Sequence, residues 1–215
     1  QSNYQLSSNN TFITGFSNGG EISYSLAFDG SNVFKAFAPV AGTVFPNGTI
    51  NNLFNPNIPA PMFVTHGYND NTSFYDGDLF DQFWGPYLSV DTLVDFWINT
   101  NSLNNVIIDT FPDLNNDGNI TISKKHFSSL TNNEVWLYSH NNGHNWGDSD
   151  IVIEQEIWDF FSLFVNNTTE LTENNNNKKL SSIFNLLGQK NITTKNTPHI
   201  YIYDDGTVEK KIILE

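Results

Sequence analysis

Short apolar runs alternate with polar, helix-period segments over the first 165 residues. Thr11–Ile13 forms a brief apolar run that stops at Thr14-Gly15-Phe16-Ser17-Asn18-Gly19-Gly20, and Glu21–Phe28 then reads as helix. Phe34–Ala41 predicts a buried strand closed by a turn at Gly42, and Pro61–His66 and Glu134–Ser139 predict two more strands of the same kind. Ser89–Asn101 has a helical pattern. Val106–Thr110 and Asn119–Ser123 read as two strands joined by a turn. Asp150–Phe164 carries Ile151, Ile157, Trp158, Phe161 and Phe164 at helical spacing and predicts the last core helix. Strands separated by helices predict an α/β fold: a parallel sheet with helices on its faces.

The pattern changes near residue 165. Residues 166–179 are polar and rich in Asn, too poor in apolar side chains to fold. Residues 180–215 then form a separate short module. From His199 to Glu215 apolar residues alternate around Asp205-Gly206, which predicts a β-hairpin. The chain thus divides into a domain over 1–165, a linker over 166–179 and a tail over 180–215.

Candidate chemistry begins at Gly15-Phe16-Ser17-Asn18-Gly19. A serine between two glycines, after a strand and before a helix, has the context of a nucleophile elbow. The sharp turn brings backbone close to backbone, so Gly15 and Gly19 are expected to supply room, and the helix that follows turns its first N–H groups outward. Two further polar residues follow predicted strands at short distance: Asp70 after Pro61–His66, and His144 after Glu134–Ser139. Reactive groups of parallel sheets gather at the carboxyl ends of the strands. The order Ser17, Asp70, His144 is a catalytic-triad order, with Asp76 and Asp150 as rival acids. In this chemistry His144 removes the hydroxyl proton and returns it to the leaving alcohol, while Asp70 orients the imidazole. The Asn18 N–H is the expected oxyanion donor, on the order of 3 kcal/mol of transition-state stabilisation in other hydrolases. No cofactor and no metal are required.

The same residues carry a resemblance. Gly15-Phe16-Ser17-Asn18-Gly19-Gly20, Ala38-Pro39-Val40-Ala41-Gly42, His66-Gly67-Tyr68-Asn69-Asp70, Tyr75-Asp76-Gly77, Gly143-His144-Asn145-Trp146 and the helix from Ser89-Val90-Asp91 to Asn101 lie in order over most of the first 165 residues. Together they resemble the C-terminal part of secreted α/β-hydrolases of the polyhydroxybutyrate depolymerase and feruloyl esterase group. The resemblance implies esterase chemistry with Ser17 as nucleophile, His144 as base and Asp70 as orienting acid. It also implies strands and an oxyanion loop ahead of Gln1. On that expectation the chain is a piece of a longer protein, inactive and aggregation-prone by itself. The tail, with Leu186-Leu187-Gly188-Gln189-Lys190, resembles C-terminal sorting tails of type IX-secreted proteins. That resemblance implies export through a secretion machinery to the cell surface or beyond; the alternative is a hairpin that packs on the hydrolase.

Composition narrows the partners. The net charge is −14 and every basic residue is Lys, a poor match to nucleic acid or an anionic membrane. No transmembrane run is present, and the absence of Cys removes disulfides. Aromatic residues make up 14%, enough to fill a core. Trp84, Trp97, Trp136 and Trp158 read as core, and Trp146, two residues from His144, as a pocket residue. Asp113-Leu114-Asn115-Asn116-Asp117-Gly118 echoes the start of a calcium loop, but Lys124 stands where a bidentate Glu belongs, so a turn between strands is the better reading. His66 is expected to be hydrogen-bonded within its turn, and His126 and His140 lack metal-ligand spacing. Two function classes follow. One is a secreted serine esterase acting on a polymer ester, either a polyhydroxyalkanoate or feruloyl and acetyl groups on polysaccharide. The other is a non-catalytic polysaccharide-binding surface protein on the same scaffold, and a peptidase is a third, weaker option.

Overall fold

A computed structural model describes residues 9–45, 58–147, 149–165, 179–185, 188–190, 195–204 and 206–212. The chain divides into two compact units, Gln1–Asn166 and Asn167–Glu215. In the first, the elements run β1 (Ile13–Phe16), α1 (Asn18–Phe28), β2 (Phe37–Val40), β3 (Met62–Gly67), α2 (Val90–Thr100), β4 (Asn105–Thr110), β5 (Thr121–Phe127), β6 (Val135–His140) and α3 (Ile153–Ser162). The six strands form one sheet in the order β1-β2-β3-β6-β5-β4.

Alternation along the central strands creates two cores. Met62 and Val64 of β3, with Val135 and Leu137 of β6, pack against Tyr24 and Phe28 of α1 and Leu93, Val94 and Trp97 of α2. The intervening residues Phe63, Trp136 and Tyr138 face the other way, against Ile153, Ile157, Phe160 and Phe161 of α3. Strands covered on both faces are apolar along most of their length, with polar residues, Thr65-His66 and Ser139-His140, only towards their carboxyl ends, which is why they read as nearly continuous runs in the sequence. The start of α2 is secured by Ser89, whose hydroxyl accepts the Thr92 N–H at 3.2 Å.

Several expectations change. The sheet is mixed: β1, β2, β3 and β6 are parallel, whereas β5 pairs antiparallel with both β6 and β4. Parallel neighbours need a long crossover, and the short segments joining β4 to β5 and β5 to β6 allow only antiparallel return. Phe160, absent from the predicted helical stripe, is fully buried, whereas Trp158 points to solvent. Among the tryptophans, Trp97 and Trp136 are buried, while Trp84, Trp146 and Trp158 reach solvent.

The second unit is a three-stranded antiparallel sheet of β7 (Leu180–Asn185), β8 (Pro198–Tyr203) and β9 (Val208–Ile212), ordered β7-β8-β9. The predicted hairpin is β8–β9, with Ile202 opposite Val208 and a turn closed by the Tyr203 N–H on Thr207 O at 2.9 Å. A hairpin alone is marginal in water, and β7 supplies a third strand that the sequence reading missed. The predicted linker lies outside the described residues apart from Lys179, as do Leu186 and Leu187. Among the described residues no helix is long and apolar enough to cross a membrane.

Candidate active site

Three side chains from distant parts of the chain meet at the carboxyl ends of β1, β3 and β6. The Ser17 Oγ lies 3.0 Å from Nε2 of His144. The other ring nitrogen, Nδ1, lies 2.7 Å from Oδ2 of Asp70. An ionised carboxylate only accepts, so Nδ1 carries the proton and Nε2 presents its lone pair to the serine hydroxyl. A hydroxyl, a neutral imidazole and a buried carboxylate linked in this order can pass a proton from oxygen to nitrogen while a charge is stabilised behind the ring.

Backbone geometry positions the hydroxyl. Ser17 sits between β1 and α1 with φ 55° and ψ −119°, a conformation that side-chain-bearing residues rarely adopt. Its N–H bonds Val40 O at 2.9 Å, and its own carbonyl accepts the Glu21 N–H, the first bond of α1. The glycines divide differently from expectation. A Cβ on Gly15 would lie 2.5 Å from the Gly19 carbonyl carbon, whereas a Cβ on Gly19 would meet open space. Gly15 and Gly20 therefore permit the close approach, and Gly19 contributes only its backbone as the wall. Asn18 takes the first helical position, where an N–H has no intrahelical partner.

Asp70 is buried at the turn after β3, with Oδ1 accepting the N–H groups of Thr72 and Ser73, each at 2.8 Å. His66 Nε2 donates to Ser73 O at 2.7 Å and lies 3.3 Å from Asp70 Oδ2. Burial alone would raise the Asp70 pKa. Hydrogen bonds from His66, the Ser73 amide, His144 and the Thr72 amide outweigh it and hold the carboxyl well below the usual carboxylate range. His66 is thus bonded within its turn and also touches the acid, a second contact that the sequence did not reveal. The loops bearing Asp70 and His144 lie back to back. Asn69 N–H bonds Asn142 O at 3.2 Å, and a Cβ on Gly67 would collide with the carbonyl oxygens of Asn142 and Gly143. The rival acids go elsewhere: Asp76 is exposed, and Asp150 Oδ1 accepts the amides of Leu114 and Asn115.

A cavity of about 350 Å³ opens over the serine, lined by Ser17, Asn18, Glu21, Phe45, Thr72, Ser73, Trp84 and His144. Trp84, not Trp146, is the tryptophan that lines it. Trp146 stacks on Phe16 with ring centroids 5.7 Å apart, and Phe16 in turn lies 4.9 Å from the His144 ring, so Trp146 supports the histidine from behind. No sequence signal separated Trp84 from a core tryptophan. Glu21 was also missed. Burial raises its pKa, opposed in part by the charge of His144. With a carboxyl group and no Lys among the lining residues, the cavity favours an uncharged ligand over an anion.

One carboxylate cluster stands apart from this site. Asp113, Asp117 and Asp150 bring oxygens within 4.8 Å of one another, a donor set of the type that holds a hard cation. The same groups organise the turn between β4 and β5: Asp113 accepts the amides of Asp117 and Gly118, and Asp117 accepts that of Asn119. The predicted turn is present, and its acidic residues shape it. His140 is fully buried at the end of β6, and burial lowers its pKa to about 4.

No family model and no curated protein matches this sequence. Among solved structures, an acetyl xylan esterase from Aspergillus awamori is similar over 75% of this chain, at 13% identity and a TM-score of 0.46. The match spans 62% of that protein's chain.

Proposed function

We propose that this chain carries the catalytic residues of a serine esterase on an α/β-hydrolase fold. The continuous hydrogen-bonded series Asp70–His144–Ser17 is the observation that carries this reading. Ser17 Oγ attacks the ester carbonyl carbon as His144 Nε2 takes its proton. The tetrahedral oxyanion is stabilised by the Asn18 N–H at the start of α1. Its collapse breaks the C–O bond, His144 protonates the departing alcohol, and an acyl group remains on Ser17. Water, activated by the same imidazole, releases the acid and restores the serine. Each step is completed by protein groups and water, without a metal or an organic cofactor.

The substrate in this reading is an uncharged ester of a polymer, either a polyhydroxyalkanoate or feruloyl and acetyl groups on polysaccharide. An acidic cavity without Lys in its lining supports the absence of negative charge. The acidic surface and the resemblance of residues 180–215 to sorting tails support export, with a secretion machinery as partner. Fluorophosphonate labelling of the full-length protein tests the central step. Labelling that disappears in Ser17→Ala is expected. Absence of Ser17-dependent labelling would instead favour a non-catalytic polysaccharide binder on this scaffold.

A further inference from the structure

The segment between Asp78 and Tyr87 is ordered by polar groups and leaves its apolar groups in water. Asp78 and Tyr87 exchange two backbone hydrogen bonds, at 3.1 and 2.8 Å, that close the base of the loop. Asp78 Oδ1 accepts the Phe80 N–H at 2.7 Å. Asp81 Oδ1 accepts three more, from Phe83, Trp84 and Gly85, at 2.9, 2.6 and 3.1 Å. The loop backbone is thereby fixed without a hydrophobic core. Its large apolar side chains stay out: Leu79 is 58% exposed, Phe80 87%, Phe83 85% and Trp84 52%. Burying side chains of this size is favourable, and here that gain is largely unrealised. Four such residues on one held loop form an exposed apolar surface of the sort that marks an interaction site.

Its position indicates what it meets. Trp84 belongs to this loop and also lines the cavity over Ser17 and His144, and the Phe83 ring packs edge-on against Trp84 at 5.4 Å. Phe83 and Trp84 therefore extend the wall of the reaction centre onto the loop, and whatever covers them is in reach of the serine.

We propose that loop 78–86 is an adsorption surface that seats the protein on an apolar, uncharged, water-insoluble ester phase, a proposal that rests on the esterase reading. Charge disfavours an anionic phase, since the chain carries −14 and the loop itself holds Asp78 and Asp81. A hydroxyl-rich polymer is also a poorer fit. Leu79, Phe80 and Phe83 offer no hydrogen-bonding atom, and each loop carboxylate has an oxygen tied to the loop's own amides. Polar partners for hydroxyl groups are few on the loop, the exposed Gln82 amide, the Trp84 indole N–H and the second carboxylate oxygens, and the four large exposed apolar side chains outweigh them.

Adsorption is measured in the Ser17→Ala protein, so that turnover plays no part, by depletion onto a glyceryl tributyrate emulsion and, separately, onto insoluble xylan. The expected result is strong depletion by the emulsion that weakens about tenfold or more in Phe80→Ser/Phe83→Ser, with little retention on xylan. In the protein with Ser17 intact, the double variant keeps its rate on a soluble p-nitrophenyl ester within about twofold and loses rate on the emulsion. Unchanged adsorption of the double variant, or a loss confined to xylan, overturns the proposal. Failure of the esterase reading has a different signature: no Ser17-dependent hydrolysis of the soluble ester, whatever the adsorption.

Discussion

The parallel half of the sheet and its antiparallel edge follow opposite rules. In β2, β3 and β6 every residue is buried, whereas in β4 every residue is exposed. The parallel strands are joined by crossovers, so their carboxyl ends bring together residues as far apart in sequence as Ser17 and His144. The hairpin of β4 and β5 pairs near neighbours and contributes no residue to the cavity at Ser17. Burial on both faces fixes the ends of β3 and β6, behind which Asp70 and His144 stand, whereas β1, which leads to Ser17, is the sheet's other edge and is held by parallel pairing with β2 and the close backbone approach at Gly15.

The largest expected effect tests the site that the parallel strands assemble. Asp70→Asn replaces the group that selects the His144 tautomer, and esterase kcat should fall by about 10⁴-fold with KM little changed. A loss below tenfold would show that Asp70 does not orient the ring. The contrast in packing comes next. Phe63→Ala in β3 should cost about 3–5 kcal/mol, because Phe63 touches Trp136, Tyr138 and Phe160. Ile107→Ala in β4 should cost about 0.5 kcal/mol or less, since that side chain is already 54% exposed. Denaturant midpoints of the two variants check this, and equal losses would erase the distinction between the two regions.

The same contrast extends to acid stability. His140, buried in β6, has its pKa lowered by burial to about 4, below the roughly 6.5 of an unfolded histidine. Between those values the unfolded chain binds a proton that the native ring refuses. Stability from this group is complete above about pH 6.5 and falls by up to roughly 3 kcal/mol on acidification to about pH 4. His126 on β5 is shifted in the same direction by burial and the charge of Lys124, but it is only half-buried. Unfolding free energies measured from pH 7 to pH 4 should therefore flatten markedly in His140→Asn and slightly in His126→Asn. A last contrast concerns the elbow. Gly19→Ala should change stability by no more than about 1 kcal/mol, and Gly15→Ala should exceed it, because only the latter Cβ meets backbone. Thermal unfolding of the two variants in parallel reads the difference.

Much of the first unit was legible because its strands are buried on both faces and its turns carry glycine. Each buried strand appears as an apolar run, and Ser17, Asp70 and His144 stand close behind such runs. The errors fall where burial gives no pattern. Strand direction at β5 depends on connection length, and β7 gains its place only by pairing with β8. Trp84 and Trp146 are the same residue type, and their assignments depended on loop paths that local sequence does not encode. Phe160 was overlooked because Trp158 and Phe160 flank the Ile157, Phe161 and Phe164 stripe on opposite sides, and only packing against Phe63 selects one.

By itself the sequence determined the buried elements of the first unit, the elbow at Ser17 and the identity of the three polar residues, since local chemistry dictates buried runs, tight turns and their punctuation. Only the tertiary structure decided the 2.7 and 3.0 Å contacts that link those residues, the partner of Asp70 at His66 and the tryptophan at the cavity wall. Such distances are set by strand order and by which loops lie back to back. Those are properties of long-range packing, and no short window of residues contains them.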